Sequence, residues 1–372
     1  MTTGTTADAL RTIAFYLPQY HPIPENDQWW GPGYTEWNKV AAARPQFRGH
    51  RLPDVPGELG FYDLRLPEVR EAQARLASTH GIDAFCYYHY WFQGKRLLQR
   101  PLAEVLASGE PRLPFLICWA NEPWTRAWDG LSDEVLIEQT SGSSADWERH
   151  ARALLELVAD PRYLRVGGRP MILVYRAGRL SEPLGLTDAW REVITAAGLP
   201  EPFLCRVESF VDERGDPRVL GFDGAVEFQP DWKVIELPRT PKGVLGRVAR
   251  SSRSLRVARA RHRVITYRGV VEAARAKPRP DHPWWRCVTP GWDNTARRDR
   301  RATILHGTTP PRYGDWVRWA AADARNAAGV PAPLLFVNAW NEWSEGCHLE
   351  PSLAEGRAYL EAHARGVGIA PA

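Results

Sequence analysis

Eight short apolar runs alternate with helical patterns along the chain, and this alternation limits the possible folds more than any other feature. Each run has the length and the apolar character of a buried strand. The runs lie near Thr12–Leu17, Ile82–Tyr88, Pro114–Trp119, Met171–Tyr175, Phe203–Val207, Gly224–Phe228, Arg286–Thr289 and Leu334–Ala339. Eight buried strands alternating with helices predict an α/β fold, a single closed parallel (β/α)8 TIM barrel.

Several intervening helices have recognisable ends. Pro67 and Gly81 bound one helix, and apolar residues from Trp147 to Val158 mark another. We expect three further helices to begin at Thr187, at Thr309-Pro310, and at a capping box formed by Ser352 and Glu355. A doubly wound open sheet is the alternative, but no GxGxxG or GxxxxGK[ST] motif follows any run, so nothing supports its nucleotide-binding form.

Two connections are longer than a barrel requires. The predicted barrel spans 12–366 after a disordered segment 1–11, and its first long loop, Pro18–Leu66, is expected to form a lid or a binding wall. The second, between strands six and seven, is a basic insertion at 239–268. Its arginines between Arg247 and Arg263 fit a basic amphipathic helix, either a solvated face or a contact to an anionic membrane surface or a phosphate-bearing carrier.

Composition excludes several classes of protein. A formal net charge of +4 predicts no general polyanion binding, and the basic insertion lacks the interleaved aromatic residues of a nucleic-acid site. The five cysteines show no regular spacing and are expected to be buried free thiols. Neither a signal peptide nor an apolar run of membrane-spanning length is found, so we expect a cytoplasmic protein, either free or peripheral to the membrane.

The ends of the predicted strands supply the candidate binding residues, because a barrel carries its active site there. The sequence contains 17 tryptophans, and flat aromatic faces interleaved with hydrogen-bonding groups suit sugar rings. The candidate substrate-binding residues are Tyr20, His21, Trp37, His89, Tyr90, Trp91, Asn121, Glu122, Trp124, Trp128, Asp129, Glu227, Trp292, Asp293, Asn294, Trp340 and Asn341. No HxH or HExxH motif joins the histidines, so neither a metal nor another cofactor is predicted.

The strongest candidates for catalysis are Glu342 and Glu345, which follow the last apolar run. If they occupy one helical turn, their β-carbons lie about 5–6 Å apart, and each charge raises the proton affinity of the other. Burial beside Trp340 and Trp343 then keeps one of them protonated, as in paired glycosidase carboxylates. A close pair favours retention of anomeric configuration over inversion. The alternative is a solvated helix start whose glutamates interact with the helix dipole.

Five long motifs resemble those of WbsX-type proteins, also called glycoside hydrolase family 99-like. They are FYLPQYHPIPENDQWWGPGYTEWNKV, HGIDAFCYYHYWFQGKRLL, PFLICWANEPWTRAWDG, WDNTARR and FVNAWNEWSEGCHLEP, and they occur in order between about Ile13 and Leu360. The resemblance implies a (β/α)8 barrel and a carbohydrate-active enzyme. The segment Arg239–Arg263 carries no motif of this family.

The resemblance also implies roles for the glutamate pair. In the related family 99 endo-acting α-mannosidases, which are retaining, Glu342 would correspond to the base that deprotonates the sugar 2-hydroxyl to give a 1,2-anhydro intermediate. Glu345 would correspond to the acid that protonates the leaving oxygen. The leading hypothesis is therefore a retaining glycosidase acting on α-linked, mannose-like glycans. Two others remain open: a glycosyltransferase in surface polysaccharide or glycoconjugate assembly, and a non-catalytic glycan-binding barrel.

Overall fold

Eight parallel strands close into a barrel, as the sequence predicts. The structure is a computed structural model that describes residues 9–51, 54–126, 134–236, 261–298 and 300–370. The barrel strands are β1 Arg11–Tyr16, β2 Ala84–Phe92, β3 Phe115–Trp119, β4 Arg169–Val174, β5 Phe203–Glu208, β6 Gly224–Glu227, β7 Trp284–Val288 and β8 Leu334–Val337. Each strand pairs with its neighbours in sequence, and Ile13 of β1 pairs with both Ala84 of β2 and Phe336 of β8, which closes the ring.

The described helices include those that cover the barrel and shorter ones in its loops. They are Pro24–Trp30, Trp37–Ala42, Pro67–Thr79, Arg100–Ser108, Ser144–Ala159, Pro183–Ala196, Trp232–Glu236, Tyr267–Ala276, Pro310–Arg325 and Ala358–Val367. The helix predicted to begin at Thr309-Pro310 does so, with the Thr309 hydroxyl accepting from the backbone N–H of Arg312 at 3.4 Å. Proline at the first helical position loses no hydrogen bond there, which explains several of these starts.

Two predicted helix starts are wrong. Thr187 lies inside the helix that begins at Pro183, and its hydroxyl donates to the carbonyl of Leu184 rather than capping an end. The Ser352 hydroxyl does accept from the backbone N–H of Glu355, but this contact shapes a turn before the last helix, which begins at Ala358. A cap motif and a tight turn use the same local hydrogen bond, so the sequence alone does not separate them.

The long connections differ in part from the prediction. The segment after β1, predicted as a long loop, contains the two short helices Pro24–Trp30 and Trp37–Ala42. Most of the basic insertion, 237–260, lies outside the described residues, whereas Arg263 begins a short strand, Arg263–Thr266, rather than continuing a helix. That strand pairs in parallel with Thr303–His306. Residues 1–8 also lie outside the described part, and Arg11 is the first residue of β1.

The barrel interior is filled by aromatic and aliphatic side chains from several strands. Phe15 packs against Tyr88, Phe228 and Phe336, with ring centroids 5.6–5.9 Å apart. This layer closes the barrel below its C-terminal mouth, so a ligand is confined to the rim. All five cysteines are buried free thiols, as predicted. Among the described helices, none combines the length and the apolar character needed to cross a bilayer.

Candidate active site

A cavity of about 450 Å³ lies at the C-terminal mouth of the barrel. Its floor includes Tyr88 and Phe228, two members of the aromatic layer that packs on Phe15. The wall combines aromatic side chains, amides and charged groups. The other lining residues are Leu17, Gln19, Tyr90, Ala120, Glu122, Tyr175, Phe210, Trp232, Trp292, Asn294, Arg297, Arg298, Thr303, Asn338, Glu342 and Glu345.

The two candidate catalytic glutamates reach this cavity from a short hairpin after β8. Asn341–Glu342 pairs antiparallel with Cys347–His348, and the turn between them is the 3-10 helix Trp343–Glu345. Glu342 therefore precedes this turn and Glu345 ends it, instead of sharing an α-helical turn as the sequence analysis supposed. The hairpin strand carries Glu342 and its turn carries Glu345, and both carboxylates line one cavity.

One arginine joins three carboxylates at this wall. The Arg297 Nη2 atom lies 3.2 Å from Glu342 Oε1 and 3.1 Å from Glu36 Oε2, and its Nη1 atom lies 3.2 Å from Glu345 Oε1. All four side chains are at most 17% exposed. Glu36 comes from the long loop after β1, so the cluster joins distant parts of the chain. We call Arg297, Glu36, Glu342 and Glu345 the Arg297 cluster.

Burial raises the pKa of both Glu342 and Glu345, because the ionised form loses its hydration. Arg297 opposes this by stabilising the charged forms, whereas Glu36 raises the pKa of both residues through like-charge repulsion. Three carboxylates around one guanidinium carry excess negative charge. The arrangement therefore favours retention of a proton by the Glu342/Glu345 pair.

Asp293 positions the segment that carries Arg297. Its backbone N–H donates to the carbonyl of Glu345 at 2.6 Å, and its carboxylate accepts from the N–H and the hydroxyl of Thr295. The other carboxylate oxygen lies 2.7 Å from Nε2 of His50. Since Nδ1 of His50 accepts from the backbone N–H of Gln46, Nε2 is the nitrogen that donates to Asp293.

The structure places part of the candidate binding set on the cavity wall. Tyr90, Glu122, Trp292 and Asn294 line it together with the glutamate pair. The hydroxyl of Tyr90 accepts from Nε2 of Gln19 at 3.1 Å, which fixes two polar groups of the wall. Trp128 and Asp129 lie outside the described residues.

Two predicted binding residues, Asn341 and Tyr20, instead form buried hydrogen bonds that support the site from within the fold. Asn341 is fully buried, and its side-chain amide exchanges hydrogen bonds with the backbone of Leu17 at 2.7 and 3.0 Å, which ties the ends of β8 and β1 together. The hydroxyl of Tyr20 donates to the carbonyl of Asn341 and accepts from the N–H of Trp343. Both side chains support the hairpin that carries the glutamates, and neither lines the cavity.

The remaining predicted residues also lie outside this cavity. Trp340 packs on Phe85 in the core, and Asn121 exchanges hydrogen bonds with the backbone of Arg176. Asp293 lines a second cavity, of about 320 Å³, which shares Trp292 with the first. The remaining members are buried and do not line this cavity: His21, Trp37, His89, Trp91, Trp124 and Glu227. Alternating strand residues point to opposite faces, and the end of a strand does not reveal which face is the inner one.

Several cavity residues were absent from the predicted set. Arg297 and Arg298 belong to the motif WDNTARR, and a pair of adjacent arginines after an aromatic and polar stretch was an available signal. Glu36, which contacts Arg297 but does not line the cavity, lies in the long loop with no local pattern to mark it. Phe210 and Trp232 follow strands five and six, but they lie three and four residues beyond the predicted strand ends.

A second arginine also contacts three carboxylates, close to the first cluster. Nη1 of Arg176 lies 2.9 Å from Glu122 Oε1, Nη2 lies 3.1 Å from Asp212, and Nε lies 3.1 Å from Glu213. The guanidinium also stacks on Phe210, 3.9 Å from its ring centroid. We call Arg176, Glu122, Asp212 and Glu213 the Arg176 cluster. Only Glu122 and the ring of Phe210 reach the cavity from it.

Comparison with known proteins places this barrel in a structural class. A solved structure described as a glycoside hydrolase-like protein matches with a TM-score of 0.59 and 13% identity, covering 100% of this chain and 97% of that one. The endo-α-mannosidase of glycoside hydrolase family 99 from Bacteroides thetaiotaomicron matches with a TM-score of 0.55 and 16% identity, covering 96% of each chain. The fold is that of glycoside hydrolase-type (β/α)8 barrels.

The sequence defines the family more narrowly. The profile of the family described as Glycosyltransferase WbsX matches residues 12–363, and the chain belongs to this family. The protein WxcX of Xanthomonas campestris pv. campestris is 43% identical over 361 residues in each of two strains. This alignment covers 96% of the present chain and 50% of WxcX, so the chain spans about half the length of these relatives.

Proposed function

We propose that this protein cleaves a glycosidic bond in an α-linked, mannose-like glycan with retention of configuration, using Glu342 and Glu345. The observation that carries the proposal is the burial of both carboxylates in one cavity at the barrel mouth, where a single guanidinium contacts both. Glycoside hydrolysis requires one protonated and one ionised carboxyl group across the scissile bond. A buried pair with raised pKa values can hold these two states together near neutral pH.

The roles within the pair follow the family resemblance. Glu342 takes the proton of the sugar 2-hydroxyl, whose oxygen attacks the anomeric carbon as the glycosidic bond breaks, and Glu345 gives its proton to the leaving oxygen. Water then opens the 1,2-anhydro sugar, with one proton returning to Glu345 and the proton on Glu342 returning to the 2-oxygen. The aromatic wall that includes Trp232 and Trp292 offers faces for sugar rings.

The test is turnover of α-linked mannose oligosaccharides, with the anomer of the first product read by NMR, in the wild type, Glu342→Gln and Glu345→Gln. We expect each substitution to lower kcat by about 10²–10⁴-fold, because each removes an acid–base group. Glu272→Gln, a surface change on the helix Tyr267–Ala276, is the matched control. Unchanged turnover in both cavity variants, or an inverted first product, would refute the proposal.

Glycosyl transfer is the second candidate. It is favoured by the description of the matching family, Glycosyltransferase WbsX. The same carboxylates would then act on an activated donor, and an anionic membrane surface or a phosphate-bearing carrier would be contacted by the arginines of 247–263, which lie mostly outside the described residues. Release of nucleoside diphosphate from a nucleotide-linked sugar, dependent on Glu342 and on an added acceptor, would separate transfer from hydrolysis.

A further inference from the structure

Arg298 differs from its neighbour Arg297 in the charged groups that surround it. Both line the cavity, and the backbone N–H of Arg298 donates to the carbonyl of Asn294 at 2.9 Å, so Arg298 follows directly on the turn capped by Asp293. Its charge lies close enough to Glu345 to lower the pKa of that residue, against the larger effect of burial. Arg298 and Glu345 therefore line one cavity and interact electrostatically across it.

Five charged side chains line this cavity, and four of them have ion-pair partners. Glu122 lies 2.9 Å from Arg176 and 3.5 Å from Arg179, while Arg297 contacts both Glu342 and Glu345. Across the described ranges no carboxylate lies within ion-pair distance of Arg298, although this side chain is partly buried. A partly buried cation with no carboxylate at ion-pair distance can recognise an anion, because a bound anion supplies the direct charge-assisted contact that the guanidinium lacks.

We propose that the cavity binds a glycosyl compound that carries an anionic group, and that Arg298 receives this group beside Glu345. The inference rests on the proposed function and specifies its substrate class. A guanidinium presents a planar fork that matches two oxygens of a carboxylate or a phosphate, and the nearby aromatic walls lower the local dielectric constant. The anion has two possible sources, the carboxylate of an acidic sugar or the phosphate of a nucleotide-linked or lipid-linked sugar.

The position of Arg298 adds a prediction about orientation. Through the resemblance, Glu345 faces the leaving oxygen, so an anionic group at Arg298 belongs to the leaving side of the substrate. A phosphate there would be part of the leaving group, which would favour glycosyl transfer. A carboxylate there would belong to the neighbouring sugar of an acidic glycan, which is compatible with hydrolysis.

The experiment is calorimetric titration of the whole protein with three small probes: methyl α-mannoside, methyl α-glucuronide and mannose 1-phosphate. Wild type and Arg298→Gln are compared, with Arg298→Lys as the charge-retaining variant and Arg318→Gln, on the exposed side of the helix Pro310–Arg325, as the matched control. We expect at least one anionic probe to bind wild type about tenfold more tightly than the neutral one, a typical gain from a charge-assisted pair. Arg298→Gln should abolish this preference, Arg298→Lys should keep part of it, and Arg318→Gln should keep all of it.

Three outcomes overturn the inference. They are equal binding of all three probes to wild type, no measurable binding of either anionic probe, and an anionic preference that survives in Arg298→Gln. A loss of affinity in Arg298→Gln that is equal for the neutral and anionic probes is a fourth contrary outcome, because Arg298 would then support the cavity without recognising the anion. Because the readout is binding, it stands apart from the turnover test of Glu342 and Glu345: either result can fail while the other holds.

Discussion

The Arg297 cluster and the Arg176 cluster use the same chemistry for different ends. Each arginine contacts three carboxylates, and each guanidinium is nearly buried, with 12% of the Arg297 side chain and 4% of the Arg176 side chain exposed. In the Arg176 cluster, Asp212 is 60% exposed and keeps much of its hydration. In the Arg297 cluster all three carboxylates are at most 17% exposed, and two of them line the cavity.

This difference in exposure distinguishes an ion cluster that stabilises loops from one that can retain a proton beside the cavity. Around Arg176, solvent disperses part of the charge and the guanidinium also stacks on Phe210, so the cluster holds the loops after β3, β4 and β5 together. Around Arg297 the three carboxylates are close together and mostly buried. Protonation of one of them reduces their mutual repulsion. The first arrangement stabilises the loops around it, and the second favours retention of a proton beside the cavity.

The largest expected effect is on stability. Arg176→Met leaves Glu213, whose side chain is 0% exposed, without its guanidinium, and removal of one partner from a buried pair typically costs about 3–5 kcal/mol. Arg297→Met should cost less, because the three glutamates it leaves are 9–17% exposed whereas Glu213 is fully enclosed, although burial raises the pKa of Glu213 as well as those of Glu342 and Glu345. Urea unfolding of both variants at neutral pH measures the difference, with Arg318→Gln as the surface control. Equal losses in the two variants would remove the distinction between the clusters.

The next effect is on the pH dependence of turnover. Arg297 stabilises the ionised forms of Glu342 and Glu345, so Arg297→Gln should raise the pKa of both residues. A base that must be ionised sets the acidic limb of the kcat/KM profile and an acid that must be protonated sets the basic limb, so both limbs should move to higher pH, by about one unit or more.

Profiles of kcat/KM for wild type, Arg297→Gln and Arg297→Lys make this measurement. Lysine keeps the positive charge and should restore most of the original profile. A limb that moves to lower pH in Arg297→Gln would contradict the electrostatic role given to Arg297. A uniform loss of rate without a shift would assign it to substrate positioning alone.

The smallest expected effect is that of Asp293, which positions the segment that carries Arg297. In Asp293→Asn a single acceptor oxygen must serve both His50 and Thr295, so one hydrogen bond to a donor is lost. We expect kcat to fall by about tenfold, equivalent to about 1.4 kcal/mol, with KM and the unfolding midpoint nearly unchanged. The surface change Asp315→Asn is the control, and a kcat equal to wild type would show that Glu345 and Arg297 hold their places without Asp293.

The barrel fold could be predicted from local patterns in the sequence. Eight apolar runs of strand length, separated by helical segments, specify a closed parallel sheet because buried strands must pair and the intervening helices must cover them. The same reading placed Glu342 and Glu345 just beyond the last strand, where the structure finds them on the cavity wall. The high tryptophan content predicted the binding site less well. Two tryptophans, Trp232 and Trp292, line the cavity. Five others are fully buried in the core: Trp190, Trp284, Trp285, Trp316 and Trp340.

The sequence by itself therefore determined the strand order, the position of the glutamate pair and the burial of the cysteines, because each depends on residues near one another in the chain. Only the tertiary structure decided that Arg297 contacts Glu36, which is far from it in the chain. The same holds for Asn341 and Tyr20, whose side chains are buried and form hydrogen bonds that support the loops. Such contacts depend on how the loops of a closed barrel converge at its mouth. That convergence is a property of the whole ring of strands, and no local stretch of sequence contains it.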